Sequence, residues 1–343
     1  MKHPLVSVIL VNWNGKKYLD ACLESLRVVK YSPYEIIVVD NASTDGSAAW
    51  VKATYAHVRL VENKENKGFA GGHDAGLAVA KGKYILILNV DTIVEPSFLT
   101  PLINRLERDP GIAVVQPKVV LGTNPRLIDS VGSFFLPNGL LYHYGREKEE
   151  KLPEYNVPMD IFSAKGVCMA LRREVIDRVG LFDPDFFAYF EETDFCMRVW
   201  LAGWHVVYEP TSRIMHAGGA ASSRQPSSFI VYHSSKNVIC THLKNLSVVY
   251  ALRAVFSVLL LYGVWIIISL MTGKLSTAYA VLRAVWWNVL NFGQTLHKRK
   301  EVQRVMRTRP DEAFLPAVTR LVKPSYYFEQ FFGDLGRYRD IPI

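Results

Sequence analysis

Short apolar runs alternate with helical patterns over the first hundred residues. The runs predict strands at residues 5–11, 35–40, 58–62 and 84–88. Between them, periodic apolar positions such as Leu19, Leu23 and Leu26 predict helices, and Gly-rich residues 68–76 begin the third helix. Because the strands are continuously apolar, this order predicts a mostly parallel sheet with helices on both faces.

The pattern weakens after residue 110, where Gly, Pro and Asn residues predict irregular strands and loops over residues 111–155. Regular elements are then predicted as a strand over 161–172, a short helix over 174–179, a longer helix over 186–202, a strand over 204–209 and a polar loop over 222–228.

The composition changes after Lys244. Residues 254–271 are almost wholly apolar, and residues 276–292 form a second apolar helix that carries Arg283 and is followed by a basic run. The first stretch has only the minimum length for a span, and an arginine is costly at the bilayer centre. We therefore expect a helical hairpin that lies in or dips into the cytoplasmic leaflet of the membrane. Two short spans, or a buried helical pair, remain as alternatives.

These changes predict an N-terminal α/β domain over residues 1–245, a membrane-associated helical hairpin with a basic flank over 246–310 and a C-terminal tail over 311–343. The chain has 343 residues, 50% of them hydrophobic, and a formal charge of +8. That charge suits nucleic acid, anionic lipid or phosphorylated substrates. Nucleic acid is disfavoured because the basic residues cluster beside the apolar helices. Four scattered cysteines without a C-x-x-C pair favour reduced thiols in the cytoplasm.

Polar residues follow two of the predicted strands. Asp40 ends one strand, and Asn89 and Asp91 follow another. Ligands of open parallel sheets bind at the carboxyl ends of the strands, so Asp40 is a candidate for a nucleoside contact. Asn89 and Asp91 are candidates for a divalent cation or a diphosphate. Each of these acidic residues also fits a simple turn or a helix cap.

A second acidic group, Glu191-Glu192-Thr193-Asp194, follows five residues of which four are aromatic. Neighbouring carboxylates repel one another, and one of them with a raised pKa would serve as a general base. The alternative is an acidic first turn that complements the helix dipole. His216 precedes two glycines, which would let a substrate approach, although an isolated histidine is more often structural.

Common nucleotide and hydrolase motifs are absent from the sequence: it has no G-x-x-x-x-G-K-[ST], G-x-G-x-x-G after the first strand, G-x-S-x-G or H-E-x-x-H. Taken together, the segments that are present resemble family 2 glycosyltransferases, especially the bacterial rhamnosyltransferase-like branch. The matching segments are residues 6–15 (VSVILVNWNG), 36–47 (IIVVDNASTDGS), 66–76 (NKGFAGGHDAG), 84–92 (YILILNVDT), 166–173 (GVCMALRR), 180–198 (GLFDPDFFAYFEETDFCMR) and 208–219 (YEPTSRIMHAGG).

The resemblance implies a GT-A fold, which is a Rossmann-like α/β fold with a mixed, mostly parallel sheet, here followed by an apolar helical appendage. It also implies a nucleoside-diphosphate sugar donor and Mg²⁺ or Mn²⁺. By likeness, the metal would face Asp91 and His216, and Glu192 would be the base with Asp194 in reserve. The expected nucleotide-sugar-binding residues are Asn12, Asp40, Asn66, Gly68, Gly71 and Asn89.

Two positions depart from the family pattern. Asn89 stands where a D-x-D-like triplet begins, and Glu191-Glu192 replaces the frequent Glu-Asp pair. The expected activity is inverting sugar transfer at the cytoplasmic face of the membrane. dTDP-rhamnose is the first expectation for the donor, and a saccharide or polyprenyl-linked saccharide for the acceptor. A catalytically silent, membrane-tethered nucleotide-sugar-binding protein is the alternative.

Overall fold

The computed structural model describes residues 3–218 and 225–341. Its strands are β1 (Val6–Asn12), β2 (Tyr34–Asp40), β3 (Arg59–Glu62), β4 (Tyr84–Asn89), β5 (Thr92–Val94), β6 (Ile112–Leu121), β7 (Ile128–Ser130), β8 (Ser133–Phe135), β9 (Leu141–His143), β10 (Met159–Asp160), β11 (Cys168–Arg172) and β12 (His205–His216). Its helices are α1 (Lys16–Arg27), α2 (Ser47–Thr54), α3 (Gly68–Leu77), α4 (Leu99–Arg108), α5 (Arg173–Val179), α6 (Glu191–Leu201), α7 (Ser227–Asn245), α8 (Val248–Met271), α9 (Leu275–Leu290), α10 (Phe292–Glu301), α11 (Leu315–Val318) and α12 (Pro324–Phe332).

The central sheet has the strand order β10-β12-β6-β11-β4-β1-β2-β3, with β5 paired to β12 and β7 paired to β6. Strands β3, β2, β1 and β4 run parallel, and β11 is antiparallel to both β4 and β6. The four predicted N-terminal strands are thereby confirmed to within two residues at either end. The carboxyl ends of β1, β2 and β4 lie side by side at one edge of the sheet.

Both faces of the sheet are buried, as the continuously apolar strands predict. Along β1, Ile9 packs into one hydrophobic cluster, whereas Val8 and Leu10 pack into the other on the opposite face. Successive strand residues point to opposite faces, so each strand supplies both cores. The polar residues that follow the strands therefore remain at the sheet edge, where a site can form.

Three local predictions are corrected by the structure. The strand predicted over 161–172 is confined to β11, because Ile161 and Phe162 instead bond to separate backbone partners, Val206 and Ser133. The helix predicted over 186–202 begins only at Glu191, since the residues before it include backbones with positive φ. The irregular region over 111–155 contains the ten-residue strand β6, in which Pro117 sits at a register shift with β12.

The strand predicted over 204–209 continues to His216. Of the polar loop predicted over 222–228, residues 222–224 lie outside the described part of the chain, and Ser227 begins α7. The apolar helices are longer than or shifted from their predictions, with α8 extending over 24 residues. The division of the chain into three domains stays a prediction.

The C-terminal part packs against the sheet domain. Asp340 accepts hydrogen bonds from the hydroxyls of Tyr142 and Tyr155, at 2.8 Å each, and the Tyr326 hydroxyl bonds both to the backbone N–H of His143 and to the carbonyl of Leu141. These contacts hold α12 beside β9, and Phe331 of α12 in turn packs against Trp265 of α8.

Candidate active site

A cavity of about 800 Å³ opens at the carboxyl ends of the parallel strands. It is the place that an open parallel sheet provides for a ligand. Predicted site residues that line it are Asn66, Gly68, Asn89, Asp91, Glu192 and His216. Asn12, Asp40, Gly71 and Asp194 are not among the lining residues, and each has an identifiable structural role instead.

Asn12 and Asp40 form a buried polar link beneath the rim of the cavity. The Asn12 amide donates to the Asp40 carboxylate at 3.0 Å and to the Ser47 hydroxyl at 2.8 Å, and the second Asp40 oxygen accepts from the backbone N–H of Ser43 at 2.9 Å. This link joins the loops after β1 and β2. Their neighbours Trp13 and Asn41 line the cavity, so Asn12 and Asp40 support this part of the cavity wall from below.

The glycines at the start of α3 permit a close backbone approach. Gly68 has φ +70°, and a Cβ there would overlap the carbonyl oxygen of Phe187. Asn66 accepts the backbone N–H of Gly68 at 2.9 Å and fixes this turn. A Cβ on Gly71 would instead press on the side chain of Lys67, the N-cap residue of α3. A glycine is therefore needed at residue 68 for the close approach of Phe187 at the site. At residue 71 it is needed only for packing at the N-terminus of α3.

His216 lies between two carboxylates. The pairing of β12 with β5 sets His216 opposite Thr92, beside Asp91. Its Nε2 lies 3.3 Å from Asp91 Oδ1, and its Nδ1 lies 2.8 Å from Asp129 Oδ2. Burial lowers the pKa of His216, but the hydrogen bonds to Asp129 and Asp91 outweigh burial, so the pKa is raised.

Asp129 also binds two cationic side chains, Lys165 at 3.0 Å and Arg146 at 2.8 Å. Burial raises the pKa of Asp129, whereas Lys165 and His216 lower it by more, so the pKa falls well below that of an ordinary aspartate. Asp129, Arg146 and Lys165 all line the cavity. The result is a strip of alternating charge along the wall that holds Asp91.

The Asp91–His216 pair fits a divalent cation that takes its other ligands from phosphate and water. Atoms 3.3 Å apart suit two ligands of one ion, and Asp129 on Nδ1 leaves Nε2 for the metal. Among the described residues no group of three or more His, Cys, Asp or Glu side chains is arranged to hold a metal. Mg²⁺ commonly binds proteins through one or two carboxylates plus substrate phosphates, so two ligands are chemically sufficient.

Glu191 and Glu192 begin α6 at the cavity wall. In each, the Oε2 atom is buried without a hydrogen-bond partner within the described part of the chain. Burial raises the pKa of both carboxyl groups, and the neighbouring Glu192 charge raises that of Glu191 further. A carboxyl group with a raised pKa beside a cavity is suited to accept a proton near neutral pH.

Asp194 lies one turn further along α6 and is fully buried. Its carboxylate accepts from Arg198 Nε at 3.0 Å, from Lys244 at 2.9 Å and from the Asn245 amide at 2.7 Å. Lys244 also binds Asp183 at 2.6 Å. The reserve base of the sequence analysis is therefore held inside a structural ion-pair cluster, away from the cavity.

Part of the cavity lining is apolar and comes from parts of the chain that carry none of the predicted site residues. Tyr262 and Trp265 of α8, Phe331 of α12, and Leu140 and Leu141 form this part of the lining. Trp265 and Phe331 pack with ring centroids 5.0 Å apart. One cavity thus joins the charged wall to an aromatic wall.

Sequence reasoning missed Asp129, Arg146, Lys165 and the aromatic wall. Asp129 and Arg146 lie in the region whose periodicity is weak, and Lys165 falls just before the quoted GVCMALRR segment. Nothing local marks them, because their partners lie 17 to 87 residues away along the chain.

Comparison with known proteins identifies the class. The sequence profile of the family described as Glycosyl transferase family 2 matches residues 7–180, about half of the chain. The fold is similar to that of GalNAc-T7 with UDP, GalNAc and Mn²⁺, with a TM-score of 0.55 and 20% identity, over 70% of this chain and 48% of that one. It is also similar to a mannosyltransferase from Pyrobaculum calidifontis in complex with GDP-Man and Mn²⁺, with a TM-score of 0.51 and 16% identity, over 84% and 88% of the two chains.

The chain belongs to glycosyl transferase family 2 and has the GT-A fold. Among curated relatives, it is 25% identical over 260 residues to the N-acetylglucosaminyl-diphospho-decaprenol L-rhamnosyltransferase of Mycobacterium tuberculosis. The match covers 68% of this chain and 83% of that enzyme. The rhamnosyltransferase-like resemblance expected from the sequence is thereby confirmed.

Proposed function

We propose that this glycosyltransferase transfers a sugar, with inversion, from a nucleoside-diphosphate sugar to a hydroxyl of a lipid-linked saccharide at the cytoplasmic face of a membrane. The observation that carries the proposal is that the Asp91–His216 pair, Glu191 and Glu192 all line one cavity, and that each glutamate has one carboxyl oxygen without a hydrogen-bond partner among the described residues. The pair suits the diphosphate, and the glutamates suit the acceptor.

The donor occupies the polar part of the cavity. Trp13 and Asn41 border the nucleoside, above the Asn12–Asp40 link, and Asn66 and Gly68 let the backbone approach the donor. Asp91 and His216 would hold a divalent ion, which would supply positive charge against the negative charge that develops on the departing diphosphate. Lys165 adds a positive charge to the same wall, and Asp129 orients both Lys165 and the His216 ring.

Glu192 removes the proton from the acceptor hydroxyl. As that oxygen forms its bond to the anomeric carbon, the bond from this carbon to the diphosphate oxygen breaks on the opposite face. The diphosphate keeps the electron pair, and the proton stays on Glu192. A single displacement inverts the anomeric centre and needs no enzyme nucleophile. The neighbouring Glu191 raises the proton affinity of the pair by like-charge repulsion.

The apolar part of the cavity lining favours an acceptor with a hydrophobic group. A free saccharide would gain little from Tyr262, Trp265 and Phe331, whereas a lipid chain beside the sugar would bury its surface against these rings. The related mycobacterial enzyme is named for a decaprenol-linked acceptor and for L-rhamnose. We therefore keep a polyprenyl-linked saccharide as the acceptor and dTDP-rhamnose as the first donor to test.

Helices α8 and α9 carry the membrane contact in this proposal. Phe256 is 65% exposed and Leu252 64%, and exposed apolar side chains continue along both helices. Within the described residues, α8 is the one helix long and apolar enough to cross a membrane. An apolar surface of this extent is typical of a membrane or protein contact. The exposed basic residues Lys300 and Arg304, which follow α9, suit anionic headgroups.

Liposome flotation with anionic vesicles tests the membrane contact. The variant Leu252→Gln/Phe256→Gln should float less than wild type, because two apolar side chains are lost from the contact. Val28→Gln, at an isolated residue that is 55% exposed on the sheet domain, is the matched control. Equal flotation of all three proteins would contradict the assignment of this surface.

Donor hydrolysis and transfer, screened across nucleotide sugars with Mg²⁺ or Mn²⁺, test the enzymatic proposal. Turnover should require the ion, and Asp91→Ala should abolish it while the fold is kept. Asp177→Ala, on an exposed position of α5, is the control. Full activity of Asp91→Ala would refute the metal assignment. Nucleotide binding without turnover of any donor would favour the catalytically silent binder.

A further inference from the structure

The segment Phe187–Phe190, directly before α6, has an unfavourable backbone. Phe187, Tyr189 and Phe190 have φ values of +63°, +66° and +72°, although none of them is a glycine. Phe187 has ψ −63°, and the N–H of Ala188 bonds to the carbonyl of Phe186 at 2.7 Å, so this is a γ-turn of the rare, strained kind. Such conformations persist only where surrounding contacts enforce them.

The side chain of Asn237 makes several of the contacts that hold this conformation. Asn237 of α7 is fully buried, and its amide nitrogen lies 3.2 Å, 3.0 Å and 2.6 Å from the carbonyl oxygens of Phe186, Ala188 and Tyr189. The amide has only two protons, so at least one of these bonds is shared. The three carbonyl oxygens all lie around this one nitrogen. An extended or helical backbone would not bring them so close together.

The remaining carbonyl of the turn points the other way. The oxygen of Phe187 accepts the N–H groups of Phe69 and Ala70 at 2.7 Å and 3.2 Å, at the N-terminus of α3. Gly68 leaves the space for this contact, since a Cβ there would overlap the same oxygen. The segment is therefore held between the donor-side helix α3 and Asn237 on α7.

This segment sets the direction in which α6 begins. Phe190 precedes Glu191 and Glu192, and its carbonyl accepts the N–H of Asp194 at 3.0 Å. All of these residues except Asp194 line the cavity. Relaxation of the three positive-φ residues would rotate the first turn of α6 and move the two glutamates relative to the bound sugar.

We propose that Asn237 is a positioning residue for sugar transfer, which holds the strained Phe187–Phe190 segment so that Glu191 and Glu192 face the acceptor hydroxyl. This inference rests on the proposed function. Asn237 touches neither substrate, and it acts only through the backbone of the segment.

The test compares Asn237→Ala with Asn288→Ala in the full-length protein. Asn288 of α9 is a matched control, because its buried amide also donates to backbone carbonyls, those of Lys236 and Ala284 at 3.0 Å each, but not to the segment. A shift of about 1 Å at a reacting group costs on the order of 10²-fold in rate, so kcat of Asn237→Ala should fall by about that factor. The Kd for nucleoside diphosphate with Mn²⁺ should stay close to the wild-type value.

The pH profile adds a readout that a merely structural residue would not change. Greater exposure of Glu191 and Glu192 in Asn237→Ala should lower their pKa, because burial is what raises it. The acidic limb of kcat should therefore move to lower pH in Asn237→Ala and remain in place in Asn288→Ala. Asn237→Ser keeps one hydrogen-bond donor and should give an intermediate kcat. It replaces Asn237→Ala in the test if the alanine variant does not fold. A wild-type kcat in folded Asn237→Ala or Asn237→Ser, with only a lower melting temperature, would overturn the proposal.

Amide hydrogen exchange separates this inference from the proposed function. The N–H groups of Phe69 and Ala70 should exchange faster in Asn237→Ala than in Asn288→Ala, whether or not the enzyme turns over. If wild type transfers no sugar but this exchange difference appears, the proposed function fails and Asn237 still holds the segment. If wild type is active and the exchange rates are equal, the positioning role fails alone.

Discussion

Two pairs of acidic side chains lie close together around the start of α6 and differ in how their charge is compensated. Asp183 and Asp194 share Lys244, and Lys298 and Arg198 complete the cluster. Glu191 is buried and Glu192 is partly buried, yet each keeps a buried oxygen without a partner in the described chain. A buried charge without a partner is costly. Its presence beside a cavity indicates a site used for a reaction, whereas the compensated pair holds the helix in place.

The largest effect, on kcat, is expected from substitution of Glu192 in the uncompensated pair Glu191 and Glu192. Glu192→Gln removes the proposed base, so kcat should fall by about 10²- to 10⁴-fold while donor binding is kept. Steady-state kinetics with titration of the nucleotide measure both. If Glu191→Gln loses activity instead and Glu192→Gln does not, the base is Glu191 and the comparison survives with the roles exchanged.

Substitution in the compensated pair, Asp183 and Asp194, should lower the free energy of unfolding rather than kcat. Asp183→Asn leaves Lys244 and Lys298 partly unpaired, and breaking a buried pair costs about 3–5 kcal/mol. Denaturant unfolding at neutral pH should show this loss, and the folded variant should retain its kcat. A folded Asp183→Asn protein of wild-type stability would remove the distinction between the two pairs.

The sign of the pH dependence separates the pairs further. Burial raises the pKa of Asp183, but Lys244 and Lys298 lower it by more, so the native pKa lies below the ordinary aspartate value. Its stabilisation is therefore complete above the ordinary aspartate pKa and is lost as pH falls through the lower native one. Wild type should lose stability over this acidic range, and Asp183→Asn should lose less.

The smallest effect is expected at Glu191, with the opposite sign. Burial and the Glu192 charge raise its pKa, so ionisation in the folded state costs stability as pH rises through the raised value. Glu191→Gln should melt higher than wild type at pH above the raised pKa. The difference should vanish at pH below the ordinary glutamate pKa of about 4.3. A lower melting temperature at neutral pH would mean that the carboxylate has a stabilising partner.

The sequence by itself determined the parallel half of the sheet and most of the polar residues at its edge. Period-based reasoning succeeds there because β1, β2 and β4 are buried on both faces, and their ends must bring Asn12, Asp40 and Asn89 together. The family resemblance, rather than the periodicity, placed Asp91 and His216 in one site. Their 3.3 Å contact confirms that the two side chains meet, while their role toward a metal stays a proposal.

Only the tertiary structure decided which acidic residue is compensated and which is not. Glu192 and Asp194 are two residues apart in sequence, but Lys244 and Asn245 reach Asp194 from α7 and leave Glu192 facing the cavity. The aromatic wall and the strained turn before α6 also depend on α7, α8 and α12. Burial and long-range pairing fix the charge state of a carboxyl group, and neither is encoded in the local pattern of apolar and polar residues.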